Sequence, residues 1–471
     1  MSAPVIFWFR RDLRLADNPA LSAAVASGQP VVPVFIVDKE ILAPAGPTRA
    51  AYLQATLESL AASLDGALVL RSGRPDDVLR TLAREVGATR VFATGDYANY
   101  GARRDRATAS ALAREGIELS FVSTPYAVAP GTITSKTDEP YKVFTAFRRV
   151  WDTIEIPAPL PAPRAEWASA PSEPLDRISR GAGQVRPSYF GDLPDAPPSL
   201  PRAGEEAAWE LVRNFHSKVD SYDEARNDPA RNGTSSLSPH LRFGTIHPRQ
   251  VIAEFAGHGD GRRVFLSEIA WREFYADVLF HQPRSVWENL QSQMNFLEVD
   301  RDDTAVAKFQ LWARGDTGYP LVDAGMRQLL ETGWMHNRVR MVAASFLVKH
   351  LHLDWRWGAR WFMWRLIDGD IASNQHGWQW TAGTGTDAAP YHRIFNPTTQ
   401  AERFDPTGSY VHQYVPALCE VPAPQCLQPG GGEGLLAPSG YVTPMIDAKA
   451  ERDEALRRFA VARETAKAQR G

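Results

Sequence analysis

The segment DGDIASNQHGWQW combines side chains that are rarely placed together in a protein interior. Two carboxylates, Asp368 and Asp370, flank a glycine, and the amide Asn374 follows four residues after the second. Trp378 and Trp380 stand on alternate positions just beyond. Carboxylates are seldom buried without partners, so the combination indicates a functional site. The alternative, that these aromatics build a helical core, is the ordinary role for most of the 14 tryptophans in the chain.

A second segment, GTSSLSPHLRFG, places hydroxyl side chains in a tight turn before a proline. Thr234, Ser235, Ser236 and Ser238, around Leu237, can offer hydroxyl and backbone N–H groups to an anion such as a diphosphate. The same residues can serve as a simple N-cap of the following helix. The segment by itself leaves both interpretations open.

In SEIAWREFY, four side chains fall at three- and four-residue spacing and therefore share one helix face: Glu268, Trp271, Arg272 and Tyr275. A carboxylate, a flat aromatic ring and a guanidinium on one face suit a polar ligand with a stacked ring. An exposed, ion-paired helix face is the alternative.

In NRVRMVAASFLVKH, the residues Asn337, Arg338, Arg340 and Met341 precede a long apolar run. We consider a buried pair between Arg340 and Asp368 around a cofactor. Because such a pair contributes little to stability, its presence would point to a functional reason.

These segments must be positioned by two different folding units. Short, apolar, β-branched runs at 5–10, 31–38, 67–73, 90–95 and 117–123 alternate with helical stretches. This alternation predicts a doubly wound α/β unit with a parallel sheet covered on both faces. The unit lacks the G-x-G-x-x-G fingerprint of dinucleotide-binding folds.

The pattern changes twice further along the chain. Residues 131–204 are rich in proline and predict an extended linker. After residue 205 the segments all have helical periodicity. We therefore predict an α/β domain at 1–130, a linker at 131–204 and an all-α domain at 205–471.

Composition excludes several classes of protein. A chain of 471 residues is too long for one hydrophobic core. Its formal net charge of -3 gives no indication of nucleic acid binding, although a local basic groove is compatible with that net charge. Two cysteines are too few for a disulfide framework or a four-cysteine metal site. With no long apolar run and arginines after the first apolar segment, we expect a cytoplasmic protein without a membrane span or a metal.

Taken in chain order, several segments closely resemble the photolyase/cryptochrome flavoprotein family: WFRRDLRLADNPAL, TSSLSPHLRFG, SEIAWREFY, TGYPLVDAGMRQLLETGWMHNRVRM and DGDIASNQHGWQWTAGTGTDAAPYHRIFNP. The resemblance extends from residue 5 to about 450 and weakens only in the linker and the tail. It is closest to the class I photolyases that act on cyclobutane pyrimidine dimers.

The resemblance implies that the helical domain holds FAD. The positions that match the cofactor-binding residues of the family are Tyr222, Thr234, Ser235, Ser236, Leu237, Ser238, Phe265, Arg340, Asp368, Asp370 and Asn374. Asn374 would face the flavin N5. An amide there, unlike an acid, exchanges no proton near neutral pH, which fits the anionic reduced flavin of the family's photolyases.

The implied activity is light-driven repair of cyclobutane dimers in single- or double-stranded DNA, by electron transfer from excited reduced FAD. The dimer must leave the helix, at an unstacking cost of about a few kcal/mol. Positions that match lesion-contacting residues are Trp271 and Trp380 as stacking walls, Glu268 and Asn337 as hydrogen-bonding groups, and Met341 as the flank. Positions that match phosphate-binding residues are Arg226, Arg338 and Arg393.

The resemblance also bears on the lesion. The branch that repairs (6-4) photoproducts carries two histidines at the positions of Asn337 and Met341, so their absence favours cyclobutane dimers. His336 is adjacent but occupies a different position.

Family members photoreduce the flavin through three tryptophans in series. Trp378 and Trp355 match the first two, and the third position matches Asp302. Trp312, Trp357 and Trp361 are alternatives for the missing member, and we include Trp312 among the candidates.

For the antenna chromophore, folate-binding members carry a glutamate where this chain has Gly101. The segment DYANYGARRD is more similar to that of deazaflavin-binding members, with Arg49 and Asp96 as contacts. We therefore expect 8-hydroxy-5-deazaflavin rather than methenyltetrahydrofolate.

Two rival functions stay open. A cryptochrome would be a blue-light receptor without repair activity, and a purely structural or binding protein would carry no flavin. Asn374, Met341 and the two-tryptophan pattern favour repair. We expect a monomer whose partner is ultraviolet-damaged DNA.

Overall fold

The computed structural model describes residues 3–192, 199–387, 393–431 and 440–469. Contacts divide the chain into two compact units. The first comprises Met1–Val185, Pro201–Asp223 and Ser235–Pro283, and the second Arg186–Leu200, Glu224–Thr234 and Arg284–Gly471. The division drawn from the sequence, into 1–130, 131–204 and 205–471, stays a proposal. Residues 193–198 of its linker and 388–392 of the last motif lie outside the described ranges.

The first unit contains a parallel sheet. Its strands in the described ranges are β1 (Val5–Phe9), β2 (Val31–Val37), β3 (Val69–Ser72), β4 (Arg90–Ala93) and β5 (Glu118–Phe121). They are hydrogen-bonded in the order β3-β2-β1-β4-β5, and each neighbouring pair is parallel. Every residue of β1 and β2 is buried, which explains why these strands read as continuous apolar runs. The predicted α/β architecture is confirmed.

Helices cover the sheet and continue into the middle of the chain. Those that begin before residue 284 are α1 (Pro19–Val25), α2 (Lys39–Leu42), α3 (Pro47–Ser63), α4 (Pro75–Val86), α5 (Asn99–Ala113), α6 (Phe144–Trp151), α7 (Arg177–Gly181), α8 (Glu205–Phe215), α9 (Tyr222–Ala225), α10 (Ser238–Phe243), α11 (Pro248–Phe255) and α12 (Asp260–His281).

The second unit is helical, as predicted for the C-terminal region. Its helices are α13 (Asp303–Arg314), α14 (Pro320–Thr332), α15 (Asn337–Lys349), α16 (Trp355–Arg365), α17 (Ile371–Ala382), α18 (Pro397–Phe404), α19 (Ser409–Tyr414) and α20 (Ala448–Ala468). They enclose a large apolar cluster whose fully buried members include Trp312, Trp361, Phe309 and Tyr410. Many of the tryptophans are therefore core residues, as the ordinary interpretation of the sequence expects.

A buried ion pair ties the loop after β1 to the start of α11 in the first unit. The Arg249 guanidinium donates to both carboxylate oxygens of Asp17, with an Nε–Oδ2 distance of 3.2 Å. Arg14 donates to the backbone oxygen of Asp17 and, at 3.0 Å, to that of Gly244. Since these charges are buried, each depends on its partners for the solvation that it has lost.

Gly244 permits the close approach that this network requires. Its φ is +69°, and a Cβ atom added there would lie 1.9 Å from the backbone oxygen of Arg11. The neighbouring carbonyl of Phe243 accepts a hydrogen bond from the Leu13 amide at 3.2 Å. Position 244 therefore excludes every side chain for two separate reasons.

We expect Gly244→Ala to lower the thermal unfolding midpoint strongly. The positive φ alone costs an L-residue about 1–2 kcal/mol. The collision with Arg11 adds to this, because backbone rather than a flexible side chain must move. Gly116→Ala is the matched control, since Gly116 has a φ of +74° with nothing within 4 Å. Equal shifts for the two variants, measured by calorimetry, would show that the close approach has no energetic weight.

Candidate functional site

The segment DGDIASNQHGWQW spans the junction of two helices in the second unit. α16 ends before Asp368, and α17 begins after Asp370. The Asp370 carboxylate is the N-cap of α17 and accepts hydrogen bonds from the amides of Ala372 and Ser373, both at 3.1 Å. An aspartate in this position satisfies donors that the first turn of a helix leaves unpaired. The local sequence thus fixes where α17 begins.

Arg340 and Asp368 form the ion pair that the sequence suggested. Arg340 Nη1 and Nη2 lie 3.2 and 2.8 Å from the two Asp368 oxygens, and Arg340 Nε donates to the backbone oxygen of Met335 at 2.7 Å. Asp368 is only 8% exposed. The guanidinium is therefore held in one orientation, and it joins the first turns of α15 to the junction before α17.

Asn374 lies one turn into α17 and is half-buried. Its Nδ2 donates to the backbone oxygen of Ala359 at 3.0 Å and to Gln375 Oε1 at 2.8 Å. Both amide hydrogens are thereby engaged with oxygen acceptors, which settles the orientation of the amide. Its Oδ1 remains as an acceptor for a ligand.

Trp378 and Trp380 lie on different sides of α17, because two residues correspond to about 200° of rotation. Trp378 is 3% exposed and packs edge-on against Phe362 and Trp312, with ring centroids 5.0 and 6.2 Å apart. Trp380 is half-buried. The two tryptophans therefore have different surroundings although they are adjacent in the sequence pattern.

The Trp378 ring occupies space that a glycine of α16 provides. A Cβ atom added at Gly358 would lie 2.1 Å from Cη2 of Trp378. Because Gly358 is inside a helix, where alanine would otherwise be preferred, its absence of a side chain is explained by this contact.

The other predicted electron-transfer residues are also in the second unit. Trp355 is buried and donates from Nε1 to Asn289 Oδ1 at 2.9 Å, and Trp312 is fully buried and donates to the Ala343 oxygen at 3.0 Å. Asp302, at the position that matches the third tryptophan, instead caps α13 by accepting from the Ala305 amide at 2.8 Å.

The remaining two alternatives lie further along the same aromatic cluster. Trp357 stacks on Tyr189 with centroids 4.7 Å apart, and Trp361 packs edge-on against Phe190 at 4.9 Å. Phe309 contacts Trp312 at 5.7 Å and Trp357 at 5.9 Å. Of the three alternatives, Trp312 is the one in ring contact with Trp378.

In the first unit, Tyr222 and Phe265 belong to one aromatic group. Their rings meet edge-on at 5.4 Å, and Phe215 packs against both. Both predicted cofactor residues are buried. They are thus fixed by packing on α8, α9 and α12.

Trp271 on α12 has a well-defined position. Its ring is stacked on that of Phe144 at 3.7 Å with an interplanar angle of 11°, and the side chain is half-buried. Two residues along, the buried Glu273 carboxylate accepts from the amides of Ala127 and Val128, which anchors α12. Burial raises the pKa of Glu273, and these donors oppose that rise.

The residues of the predicted face of α12 have different surroundings. Glu268 is half-buried. Arg272 instead donates to the backbone oxygens of Pro125 and Leu241 and lies over the Tyr126 ring at 4.5 Å. Its role in the described structure is to hold its own unit together.

The turn from Thr234 to Ser238 is not a simple helix cap. α10 begins after Leu237 without a side-chain capping hydrogen bond. Ser236 has a φ of +54°, which is unfavourable for a residue with a side chain. Ser236 and Ser238 are exposed. These features favour the anion-binding interpretation of the turn.

Four arginines of the second unit form a basic cluster, defined here as Arg226, Arg338, Arg393 and Arg403. Burial lowers the pKa of Arg338, and the charges of the other three members lower it further. Arg338 and Arg403 lie over the same Phe404 ring, at 4.4 and 5.1 Å from its centroid. Cations gathered in this way favour an anionic ligand.

His336 is the N-cap of α15 and stands beside the basic cluster. Its Nδ1 accepts from the Arg338 amide at 3.2 Å, and burial, followed by the nearby arginines, lowers its pKa to about 4. The imidazole is thus neutral with its proton on Nε2. Within the described residues, His336 Nε2 and Arg338 Nε are buried atoms without a hydrogen-bond partner. Such atoms are expected beside a polar ligand.

The predicted lesion contacts on α15 face outward to different extents. Asn337 is exposed, and Met341 is half-buried with its sulfur 3.9 Å from Arg338 Nη1. Arg393 is exposed. The three residues are therefore accessible to a ligand.

The two antenna candidates lie in the first unit. Burial alone would raise the pKa of Asp96, but Arg104, Arg10 and Arg11 together lower it, so the carboxylate is charged. Arg49 is half-buried in the first turn of α3. A small cavity beyond the carboxyl ends of β1 and β4 is lined by Asp96 but not by Arg49; its other lining residues are Arg10, Arg11, Thr94, Gly95 and Pro125. Ligands of open α/β sheets bind at this edge.

Three residues at the site were not identified from the sequence. Arg403 could have been noticed from the cation–aromatic pair in AERFD, and His336 from its place before the first turn of α15. Gly358 carried no signal, because the contact that requires it is with a residue twenty positions away.

Within the described residues, none of the helices is both long and apolar enough to cross a bilayer. The same residues contain no cluster of histidine, cysteine, aspartate and glutamate suited to a metal ion.

Comparison with protein families gives two matches. Residues 5–164 match the DNA photolyase family, and residues 265–461 match the FAD binding domain of DNA photolyase. A deoxyribodipyrimidine photo-lyase of Vibrio cholerae is 39% identical over 97% of this chain and 99% of its own.

Solved structures give the same result. A class III photolyase from Agrobacterium tumefaciens superimposes with a TM-score of 0.88 at 37% identity, covering 98% of each chain. A cryptochrome from Synechocystis superimposes with a TM-score of 0.84 at 27% identity, covering 96% of this chain and 98% of its own.

We expect Gly358→Ala and Gly377→Ala to have opposite effects on stability. Both glycines are inside helices, where alanine is favoured by about 1 kcal/mol. Gly377 has nothing within 4 Å of an added Cβ atom, so its substitution should raise the thermal unfolding midpoint. Gly358→Ala should lower stability by about 1–3 kcal/mol, because the Trp378 ring must move. Stabilisation by both substitutions would mean that Trp378 is not packed as described.

Proposed function

The chain belongs to the DNA photolyase family and is an enzyme of the deoxyribodipyrimidine photo-lyase type, and we propose that it uses blue light to split cyclobutane pyrimidine dimers in DNA. The observation that carries the proposal is the arrangement of Arg340, Asp368, Asn374 and Trp378 on α15 to α17. This arrangement brings an oriented ion pair, an amide oxygen that can accept a hydrogen bond and a buried tryptophan into one part of the second unit.

The donor and acceptor set fits a flavin cofactor. The oriented Arg340–Asp368 pair, the Asn374 oxygen and the buried, unpartnered His336 Nε2 are groups that a large polar ligand would engage. We propose that the residues that hold FAD are Tyr222, Thr234, Ser235, Ser236, Leu237, Ser238, Phe265, Arg340, Asp368, Asp370 and Asn374. Bound and reduced to its anionic form, FAD would supply the light-excited electron that opens the dimer, and the electron would return to the flavin once the two pyrimidines separate.

Asn374 would present an acceptor oxygen to its ligand without exchanging a proton. Its amide hydrogens are engaged by Ala359 and Gln375, so the oxygen is the atom that it presents. An amide oxygen accepts a hydrogen bond but is not a proton donor near neutral pH. We propose that Asn374 would face the flavin N5, where an amide neither gives nor takes a proton near neutral pH, in keeping with the anionic reduced form that the family's photolyases use.

The lesion must be read outside the DNA stack. We propose Trp271 and Trp380 as stacking surfaces for the unstacked bases, because both are half-buried and Trp271 is held flat by Phe144. Unstacking costs about a few kcal/mol and less at a damaged step, which favours the dimer over intact bases. Glu268 and Asn337 offer hydrogen bonds to the bases.

The identity of the lesion is a separate proposal. Asn337 and Met341 stand where the branch of the family that repairs (6-4) photoproducts carries histidines. The chain therefore lacks the groups for that reaction, which supports the cyclobutane dimer. Met341 would lie at the flank of the lesion.

The basic cluster is the proposed phosphate site. Arg226, Arg338 and Arg393 were assigned this role from the sequence, and Arg403 joins them through its position over Phe404. Contacts of this kind position DNA without reading its sequence. We propose that the protein acts on single- or double-stranded damaged DNA as a monomer.

Electron supply to the cofactor is proposed to begin at Trp378. Trp355 is the partner suggested by the family pattern, and Trp312 is in ring contact with Trp378. Since the Asp302 carboxylate caps α13 and is not a redox relay, Trp312 is the proposed replacement for the missing tryptophan, reached directly from Trp378 and not through Trp355.

The antenna is proposed to be 8-hydroxy-5-deazaflavin rather than methenyltetrahydrofolate, with Arg49 and Asp96 as contacts. Gly101 supports this choice, because Asp96 leaves no room for a side chain at position 101. A Cβ atom added there would lie 2.1 Å from Oδ2 of Asp96.

A cryptochrome is the second candidate function, because a cryptochrome from Synechocystis shares this fold at 27% identity. Such a receptor would use the same cofactor residues for signalling and would leave dimers intact.

We expect blue light to restore ultraviolet-irradiated oligothymidine in the presence of the protein with reduced flavin. The readout is the recovery of ultraviolet absorbance as the thymine rings regain their double bonds, and the control is the same mixture in darkness. Intact dimers after illumination would refute the repair proposal and leave the cryptochrome function. A colourless protein without flavin would contradict both.

We expect Trp378→Phe to slow photoreduction of the bound flavin strongly, because phenylalanine is not readily oxidised. Trp312→Phe should slow it as well. Trp364→Phe is the matched control and should photoreduce normally, since Trp364 is as buried as Trp378 but packs on Phe190. After chemical reduction, all three variants should repair dimers normally. Unchanged photoreduction in Trp312→Phe would exclude it from the electron path.

A further inference from the structure

Lys349, at the end of α15, is an unusual lysine. It is 1% exposed, and its Nζ donates to the backbone oxygen of Arg393 at 3.0 Å. Its Nζ also lies 5.9 Å from the ring centroid of Phe459, which α20 places over it. Buried lysines ordinarily have a carboxylate partner. In the part of the chain that the structure describes, the charged group that acts on Lys349 is another cation, Arg393.

The titration of Lys349 is shifted accordingly. Burial, and then the charge of Arg393, lower the pKa of Lys349 to about 8. On the same helix end, burial lowers the pKa of His350 to about 4, so that imidazole is neutral. α20 contributes the uncharged ring of Phe459. The amine therefore lies in a place that favours its neutral form unless an anion approaches.

Arg393 connects Lys349 with the basic cluster. Its charge lowers the pKa of Lys349 and also that of Arg338, although these two residues are about 16 Å apart along α15 at 1.5 Å per residue. Residues 393–396, which lead into α18, form neither helix nor strand. The hydrogen bond from Lys349 therefore holds the backbone at Arg393, whose side chain is a proposed phosphate contact.

We propose that Lys349 is a positioning residue for DNA binding, which holds the chain at Arg393 and is itself held in its protonated form by the phosphate that Arg393 binds. This inference rests on the proposed function, because the anion is taken to be a DNA phosphate. Lys349 does not touch the lesion or the cofactor in this role. It acts through Arg393.

Proton uptake on DNA binding follows from this arrangement. A phosphate near the amine raises the pKa of Lys349 in the complex above its value of about 8 in the free protein. Well below pH 8 the amine is protonated in both states, and affinity is at its maximum. As the pH rises through 8, the free protein loses the proton first, and affinity falls until the pH exceeds the pKa of the complex. Because one proton is involved, the affinity can fall by at most about tenfold per pH unit.

The test is dark binding of irradiated oligothymidine to the flavin-loaded protein at constant ionic strength. Between about pH 7 and pH 9, the affinity of the natural protein should fall by about three- to tenfold. Lys349→Met, which keeps the length of the side chain but not its charge, should show a profile that is flat within about twofold. Lys449→Met, which removes an exposed lysine of the same unit, should keep the natural profile.

Each outcome separates this inference from the proposed function. A flat profile for the natural protein, or a natural profile for Lys349→Met, would overturn the inference while dimer repair stands. Absence of binding to damaged DNA at every pH would instead contradict the proposed function. If thermal unfolding shows that Lys349→Met is not folded, Arg393→Gln is tested in its place. This variant should bind damaged DNA more weakly, and its affinity should not change with pH. A steep fall of its affinity with pH would overturn the inference.

Discussion

The ion pair between Arg340 and Asp368 determines how the second unit presents its functional side chains. Burying a carboxylate such as that of Asp368 costs several kcal/mol, and only good geometry with further hydrogen bonds recovers that cost. Here both carboxylate oxygens and the Met335 carbonyl are engaged by one guanidinium. The pair fixes the beginning of α15 against the junction before α17. The regular geometry of the two helices then determines where their other side chains lie.

The periodicity of α17 then distributes the roles. Asp370, Asn374 and Trp378 are four residues apart and share one side of the helix. Asn374 meets the Ala359 carbonyl and Trp378 meets Gly358, so two consecutive residues of α16 receive them. Trp380 falls outside this row and is half-buried. A cofactor group, an electron donor and a stacking surface can therefore come from one short segment.

The sequence predicted what depends on local pattern. The strands, the helical C-terminal region and the Arg340–Asp368 pair were all expected, because periodicity and unusual residue combinations are visible in a single segment. It did not predict that Arg272 would turn to the carbonyls of Pro125 and Leu241, since that depends on which chain segments lie beside α12. The contact between Lys349 and Arg393 was equally invisible, because the two residues are 44 positions apart and neither belongs to a recognisable pattern with the other.

Trp312 shows that one residue can be part of the hydrophobic core and also be a candidate functional residue. It is fully buried, donates to a backbone oxygen and packs on Phe309 and Phe362, all of which are contacts of an ordinary core tryptophan. The same packing places its ring centroid 6.2 Å from that of Trp378, which is a short step for electron transfer. At position 302, by contrast, the aspartate stabilises α13 as an N-cap, by about 1 kcal/mol in a typical case. In the proposed role, Trp312 replaces the missing tryptophan without any new contact, because the core already contained the oxidisable ring that the path needs.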